Sequence, residues 1–262
     1  MKTYWNIYTV FVQNGVSYLA QYRKDAWWNV AVNVLWVGML FLIVEVIFSQ
    51  TATIVGWKKE EVYLLTILWT IVSEAFVMIF GGNTQQIPHM ITDGDLDIFL
   101  TKPANTLFLV STRFFLFRAF YRLLADFGIL AWIVWRFDVG VSLPHAVLAF
   151  FLVVCGIIVH FSMTLLANTL SFWFLRIDNV NDTLVSLHTL GRYPIDVFPK
   201  TLKILLLTAL PMAFSGYIPV AVLTGRWPWY AVGYAVCFTA AFFCLAVRFW
   251  SFALKRYSSA SS

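Results

Sequence analysis

The chain has 262 residues, of which 61% are hydrophobic and only 12% charged, with a mean hydropathy of +0.78 and a formal net charge of +5. That balance excludes a soluble globular protein, which needs far more charge to cover its surface. The basic residues are dispersed along the chain rather than clustered, so no nucleic acid is expected as a partner.

Residues 1–25 do not read as a signal peptide, because Asn6, Gln13 and Asn14 interrupt any apolar core and no small-residue cleavage site follows. Tyr4, Tyr8, Phe11, Gly15, Tyr18 and Tyr22 recur at spacings of four and three, with Asn6, Gln13, Ser17, Gln21 and Lys24 on the other side. Such a helix is predicted to lie in the plane of a membrane interface. Arg23, Lys24 and Asp25 then separate it from the first apolar run.

Six apolar spans follow, an all-α polytopic architecture. They are expected at about 27–48, 63–80, 114–135 and 146–175, then from about 201 with interruptions at Pro211, Gly216 and Pro219, and finally at about 229–250. Each approaches or exceeds the roughly 20 residues that a helix needs to cross hydrocarbon. Helices are the expected spanning element, since backbone polar groups find no water there, and the period-two alternation of a membrane barrel is absent. The whole chain reads as one transmembrane domain, with a polar tail at 257–262. Cys155, Cys237 and Cys244 all sit in apolar runs, which gives no disulfide framework or metal spacing and suggests small membrane-buried residues.

The longest polar interruption is 81–108, GGNTQQIPHMITDGDLDIFLTKPANTLF. It carries Asp93, Asp95 and Asp97 at alternate positions, with Ile87, Met90, Ile91, Leu96 and Phe99 between and around them. Two short amphipathic helices are predicted, the chain turning at Gly94 and Asp95 capping the second. The segment reads either as a solvated connector or as a docking surface for a cytoplasmic partner; in the second case Met90, Ile91, Leu96 and Phe99 would be apolar knobs facing that partner.

Ionisable residues inside apolar spans usually face a bundle interior or a watery cavity. Glu74, inside the second span, is the main candidate for the translocation route, with His160 in the fourth as a packing residue and Glu45 able to reach the headgroups. Arg122 and Asp126 have the i,i+4 spacing of an intrahelical ion pair, and Arg118 is placed to snorkel. Pro194, Pro199, Pro211 and Pro219 make a straight fifth helix untenable. The expectation is a spanning helix from about 199 and a short outer re-entrant piece at 213–224. By the positive-inside rule, all basic residues except Lys58, Lys59, Arg136 and Arg226 fall on one side. Both termini, the 81–113 loop and the 176–200 segment are then cytoplasmic.

With these elements in place, the chain resembles the membrane subunits of type-2 ABC (ATP-binding cassette) exporters. The stretch GDLDIFLTKP, Gly94 to Pro103, looks like that family's cytoplasmic gate element. RYPIDVFPKTLKILLLTALPMAFSGYIPV, Arg192 to Val220, looks like one branch of it. The resemblance implies a permease of the bacterial inner membrane, a second permease subunit, identical or not, and two cytoplasmic ATPase subunits that bind ATP and Mg. It implies docking on about 85–100, including Ile87, Met90, Ile91, Asp93, Gly94, Asp95, Leu96, Asp97 and Phe99. It implies export from the cytoplasm or inner leaflet; the aromatic content of 18% suits an amphipathic or lipid-like cargo. Independently, the chain has no Gly-Lys pair and hence no phosphate-cradling G-x-x-x-x-G-K-[ST], so it is expected to bind no cofactor itself and to be no enzyme. Two rival readings use the same residues. Asp93, Asp95 and Asp97 with Asp178 and Asp182 would hold Mg in a prenyltransferase-like enzyme; Glu74 and His160 would carry protons in a secondary transporter.

Overall fold

The computed structural model describes residues 8–11, 13, 23–174, 178–228 and 230–257. Most of the expected interfacial helix over 1–25, and the tail beyond 257, lie outside them. The described residues are mainly helical, with no strand. We number the helices α1 (Arg23–Phe48), α2 (Lys59–Phe76), α3 (Ile87–Thr92), α4 (Leu96–Leu100), α5 (Thr106–Thr112), α6 (Phe117–Arg136), α7 (Leu143–Thr169), α8 (Asp178–His188), α9 (Lys200–Leu207), α10 (Tyr217–Leu223) and α11 (Ala231–Leu254).

Four stretches are long and apolar enough to cross a membrane: Ala26–Phe48, Lys59–Thr92, Leu143–Phe172 and Ala231–Leu254. At 20 residues α6 is long enough too, but Arg118, Arg122 and Asp126 leave it too polar to count by composition alone. The second stretch is the central one. From Val62 to Val72 every residue of α2 is buried, whereas α1 leaves Trp28, Leu35, Trp36, Met39, Leu42 and Val46 exposed. Apolar surface of that extent facing outward from a described bundle is what a hydrocarbon solvent requires.

Glu60 and Glu61 lie in the first turn of α2, where carboxylates complement the helix dipole, and Glu61 Oε2 accepts from the Lys58 backbone N–H at 2.8 Å. Beyond Phe76 the helix does not stop. It widens into a π-helical segment, Val77–Gly81, and continues through Gly82–Thr84 toward α3. A π segment accepts i→i+5 bonds and is rare outside functional places.

The fifth segment departs from expectation. No spanning helix begins at Pro199: α9 ends after 8 residues at Leu207, roughly 12 Å at 1.5 Å per residue. The longer path is α8, followed by 3-10 turns at Thr189–Arg192 and Ile195–Val197. It ends where Asp196 Oδ2 accepts from Trp57 Nε1 at 2.9 Å. Trp57 lies in the connection between α1 and α2, at the opposite end of the second stretch from α3. The 190–200 part therefore sits at the end opposite the 81–113 loop, which corrects the placement of Arg192, Lys200 and Lys203 on the loop's side. Charge counting failed here most plainly for Lys203, which pairs with Asp196 rather than answering to the side of the membrane.

From there the chain passes through α9 and dips to a buried turn at Met212–Ser215 before α10, a path that overlaps the expected re-entrant 213–224. Met212–Ser215 is fully buried, and the dip depends on glycine. A Cβ at Gly156 of α7 would stand 2.5 Å from the Phe214 carbonyl oxygen, and one at Gly191 would stand 2.6 Å from that of Met212. Only a residue without a side chain lets the backbones approach so closely.

Cys155 is buried inside the bundle, and Cys237 and Cys244 lie exposed on α11, one of the four stretches long and apolar enough to cross a membrane.

Candidate functional site

The loop end of the bundle is built from α3, α4 and α5. Gly94 turns the chain at φ +79°, between α3 and α4, in the left-handed region that glycine favours. Asp95 precedes α4, but its own backbone is helical and its carboxylate makes no capping bond, so the expected cap is absent. A capping side chain requires an extended backbone at that position. Asn105 meets this condition for α5: it is extended, and its side chain accepts from the Phe108 N–H at 3.1 Å.

The apolar residues of the loop face inward. Ile87 and Leu96 are fully buried, and Met90, Ile91 and Phe99 nearly so. They form one cluster with Phe76, Phe161, Leu165 and Trp250. The expectation of outward knobs at Met90, Ile91, Leu96 and Phe99 is therefore corrected: these side chains anchor the loop to α2, α7 and α11. The exposed face is a different set, comprising His89, Asp93, Asp95, Ile98 and Leu100, with Asp97 half-buried between them. It is a short, acidic surface with apolar residues at Ile98 and Leu100.

Three amides fasten this unit to the bundle, and composition had not singled them out. Asn83 Nδ2 donates to the Phe114 carbonyl at 2.7 Å, and Asn83 Oδ1 accepts from the Phe114 N–H at 2.8 Å. Asn168 Nδ2 donates to the Thr84 carbonyl at 2.8 Å, and Gln86 Oε1 accepts from Arg113 Nη2 at 2.9 Å. A signal was available, since Asn83 and Asn168 are amides at the ends of apolar runs, where a buried amide needs partners.

Within the bundle, the polar residues regroup. Arg122 and Asp126 do not pair as expected. Arg122 Nη2 lies 2.9 Å from Glu74 Oε2, across from α6 to α2. Asp126 Oδ1 accepts instead from Asn33 Nδ2 of α1, at 2.7 Å. The i,i+4 spacing made the intrahelical pair possible, but burial favours partners that also tie three helices together. Glu74 is thus the partner of an arginine and not an isolated acid. Glu45 belongs elsewhere: at the far end of α1 it accepts from Tyr63 Oη at 2.5 Å and from Lys59 Nζ at 3.2 Å.

His160 lies between two rings, its centroid 3.9 Å from Phe76 and 3.9 Å from His188. His188, which the sequence reading passed over, contacts Ser215 Oγ through Nε2 at 2.8 Å, and its carbonyl accepts from Trp69 Nε1 at 2.8 Å. His160 is a packing residue at the point where the dip meets α7.

The far end carries its own network. Arg226 Nε donates to Glu61 Oε1 at 3.0 Å, its Nη2 donates to the Gly56 carbonyl at 2.7 Å, and its guanidinium lies 4.5 Å from the Trp57 ring. Burial works to raise the Asp196 carboxyl, but hydrogen bonds from Lys203, Trp57 and Tyr217 outweigh it and hold the group below the usual carboxylate range.

No group of three or more His, Cys, Asp or Glu capable of holding a metal ion occurs among the described residues. The geometry supplies instead two closed bundle ends, a polar tie between three helices, and one rigidly held acidic loop. A family model described as ABC-2 family transporter protein matches residues 34–261. No curated protein and no solved structure matches the chain.

Proposed function

The chain belongs to the ABC-2 transporter family, and from that premise we propose that it is the permease subunit of an ATP-driven exporter whose motor docks on the exposed face of residues 85–100. A membrane permease of this family works with an ABC ATPase. The finer assignment adds two ATPase subunits, a second permease, six crossings with cytoplasmic termini in a bacterial inner membrane, and an amphipathic cargo moved outward. The crossings would be α1, α2, α6, α7, the broken α8 path and α11, with 200–223 re-entrant from outside.

The observation that carries this reading is the attachment of the loop. Its apolar side is buried against α2, α7 and α11, and the buried amides of Asn83 and Asn168 hold it at Phe114 and Thr84. A merely solvated connector has no need of buried amide ties. A surface that receives force from a separate motor does, because push must pass into the bundle without the loop yielding. The exposed remainder, His89, Asp93, Asp95, Ile98 and Leu100, is available for contact. Inside the bundle Glu74 is held by Arg122, which joins α2 to α6 as a moving bundle needs.

Purification of the tagged full chain from its native membrane tests the reading. ATP hydrolysis should co-purify with the wild type and be lost with Ile98→Asp, while the folded chain is recovered in equal amount. Recovery without any co-purifying hydrolysis overturns it.

A further inference from the structure

A cleft of about 410 Å³ opens between the far halves of α1 and α2 and residues 190–198. It falls within the roughly 300–1,000 Å³ typical of small-molecule sites. Its walls are apolar, with Leu40, Ile43, Val44 and Ile47 of α1 facing Val197 and Phe198. Ile43 and Ile47 remain 39% and 41% exposed, so the wall is open sideways, where the outward surface of α1 is apolar.

One charge lines this cleft, Arg192. Its Nη2 donates to Tyr193 Oη at 2.8 Å, and its guanidinium lies 5.0 Å from the Tyr193 ring. Its Nε is buried without a hydrogen-bond partner. None of the ion pairs among the described residues involves Arg192. A guanidinium has five donors and no acceptor, and leaving one half-buried beside hydrocarbon without an anion is costly. Arg192 ends one 3-10 turn and Asp196 lies in the next, with Tyr193 and Pro194 non-helical between them, and Asp196 is bonded to Trp57 at the bundle end. The charge lies in the cleft beside Val62 and Thr66 of α2, between the bundle end at Trp57 and Trp69, which packs on Gly191, with the apolar trough running alongside it on α1.

We propose that this cleft is a binding site for an anionic phospholipid, its phosphate on Arg192 and one acyl chain lying along Leu40, Ile43 and Ile47. Planar guanidinium and phosphate match as a two-point contact. The acyl chain is held by contact along the trough, since moving it there from bilayer hydrocarbon brings no hydrophobic gain. A free anion would satisfy Arg192 and leave the trough unfilled; an uncharged amphiphile would do the reverse. The site rests only on the chain spanning a membrane, not on ATP-driven transport.

Native mass spectrometry of the purified full chain, titrated with phosphatidylglycerol and with a diacylglycerol of the same chains, tests the site. Phosphatidylglycerol should bind about tenfold more tightly, equivalent to roughly 1.4 kcal/mol. Arg192→Gln should bring the two lipids level, and Arg192→Lys, which keeps the charge but loses the fork, should fall between. Ile47→Trp, on the open wall, should weaken both lipids together. Millimolar inorganic phosphate should displace neither. Unchanged phosphatidylglycerol binding in a folded Arg192→Gln overturns the proposal. So does displacement by free phosphate, which would make this an anion site, or an Ile47→Trp that breaks a homodimer while sparing lipid binding, which would make it a face covered by a second copy. Because no ATPase is present in the experiment, a negative result leaves the co-purification test of the motor untouched.

Discussion

Asn83 and Phe114 bind each other twice, the side-chain amide of one giving and receiving at the backbone of the other at 2.7 and 2.8 Å. The contact joins the end of the second long helical stretch to the break before α6, so the loop between them is closed at its base. Replacing Asn83 with Ala would leave the backbone groups of Phe114 without partners, at a cost of about 1–3 kcal/mol. We expect Asn83→Ala to retain co-purifying ATPase while lowering thermal stability in detergent and stimulated hydrolysis. Unchanged melting would remove the clamp from the account.

The two faces of the 85–100 loop should separate in mutagenesis. Met90→Ala removes a buried side chain and should destabilise the chain by about 2–5 kcal/mol. Ile98→Ala, on the exposed side, should leave stability within about 0.5 kcal/mol and weaken ATPase recovery. Thermal melts paired with co-purification decide between them; the reverse pattern would mean that the partner binds the other face.

Breaking the Glu74–Arg122 contact from either side leaves a partly buried charge uncompensated. Glu74→Gln and Arg122→Gln should each lower stability by more than about 1 kcal/mol. The double variant should recover a good part of that loss. Additive effects in a double-mutant cycle would show that the two residues do not interact.

Asp196 gives the far end a pH dependence. Its carboxyl is held below the usual range by Lys203, Trp57 and Tyr217, so the folded form binds its proton less readily than the unfolded chain. The resulting stability is fully present above the ordinary carboxylate range and is lost as pH falls through the depressed value. Melting temperature should therefore drop more steeply between about pH 4 and pH 3 in the wild type than in Asp196→Asn. Parallel curves would show that the network does not depend on the charge.

Close backbone approach makes a further expectation at α7. Gly156→Ala places a methyl group against the Phe214 carbonyl and should destabilise by about 1–3 kcal/mol, whereas Gly38→Ala, with nothing within 4 Å, should be neutral or stabilising. Equal melts for both would mean that the dip relaxes freely.

Much of this architecture was legible in local sequence. The apolar runs announced the long helices, and Gly94 announced the turn between α3 and α4, because length, hydropathy and positive φ are properties of a few neighbouring residues. The failures were long-range. Four prolines marked where the fifth segment breaks, yet the direction of each piece depends on contacts such as Trp57 with Asp196, 139 positions apart. The loop showed two faces, but which of them is covered is decided by Phe76, Phe161 and Trp250, from other helices. Arg122 had a partner at the right spacing on its own helix and took Glu74 across the bundle instead. Asn33, the amide that holds Asp126, carries no local signal beyond being polar in an apolar run.

The π segment at Val77–Gly81 has a geometric consequence for whatever presses on the loop. Each residue of an α-helix advances the chain by about 100° around its axis. The wide turn takes in one residue more than an α turn does, so deleting one there and restoring regular winding would leave the heading of α3, α4 and their acidic edge nearly unchanged, whereas deleting one from the regular part of α2 would swing them by about 100°. The compass heading of the loop's exposed face is thereby written in the number of residues in the regular helix above it rather than in their kind.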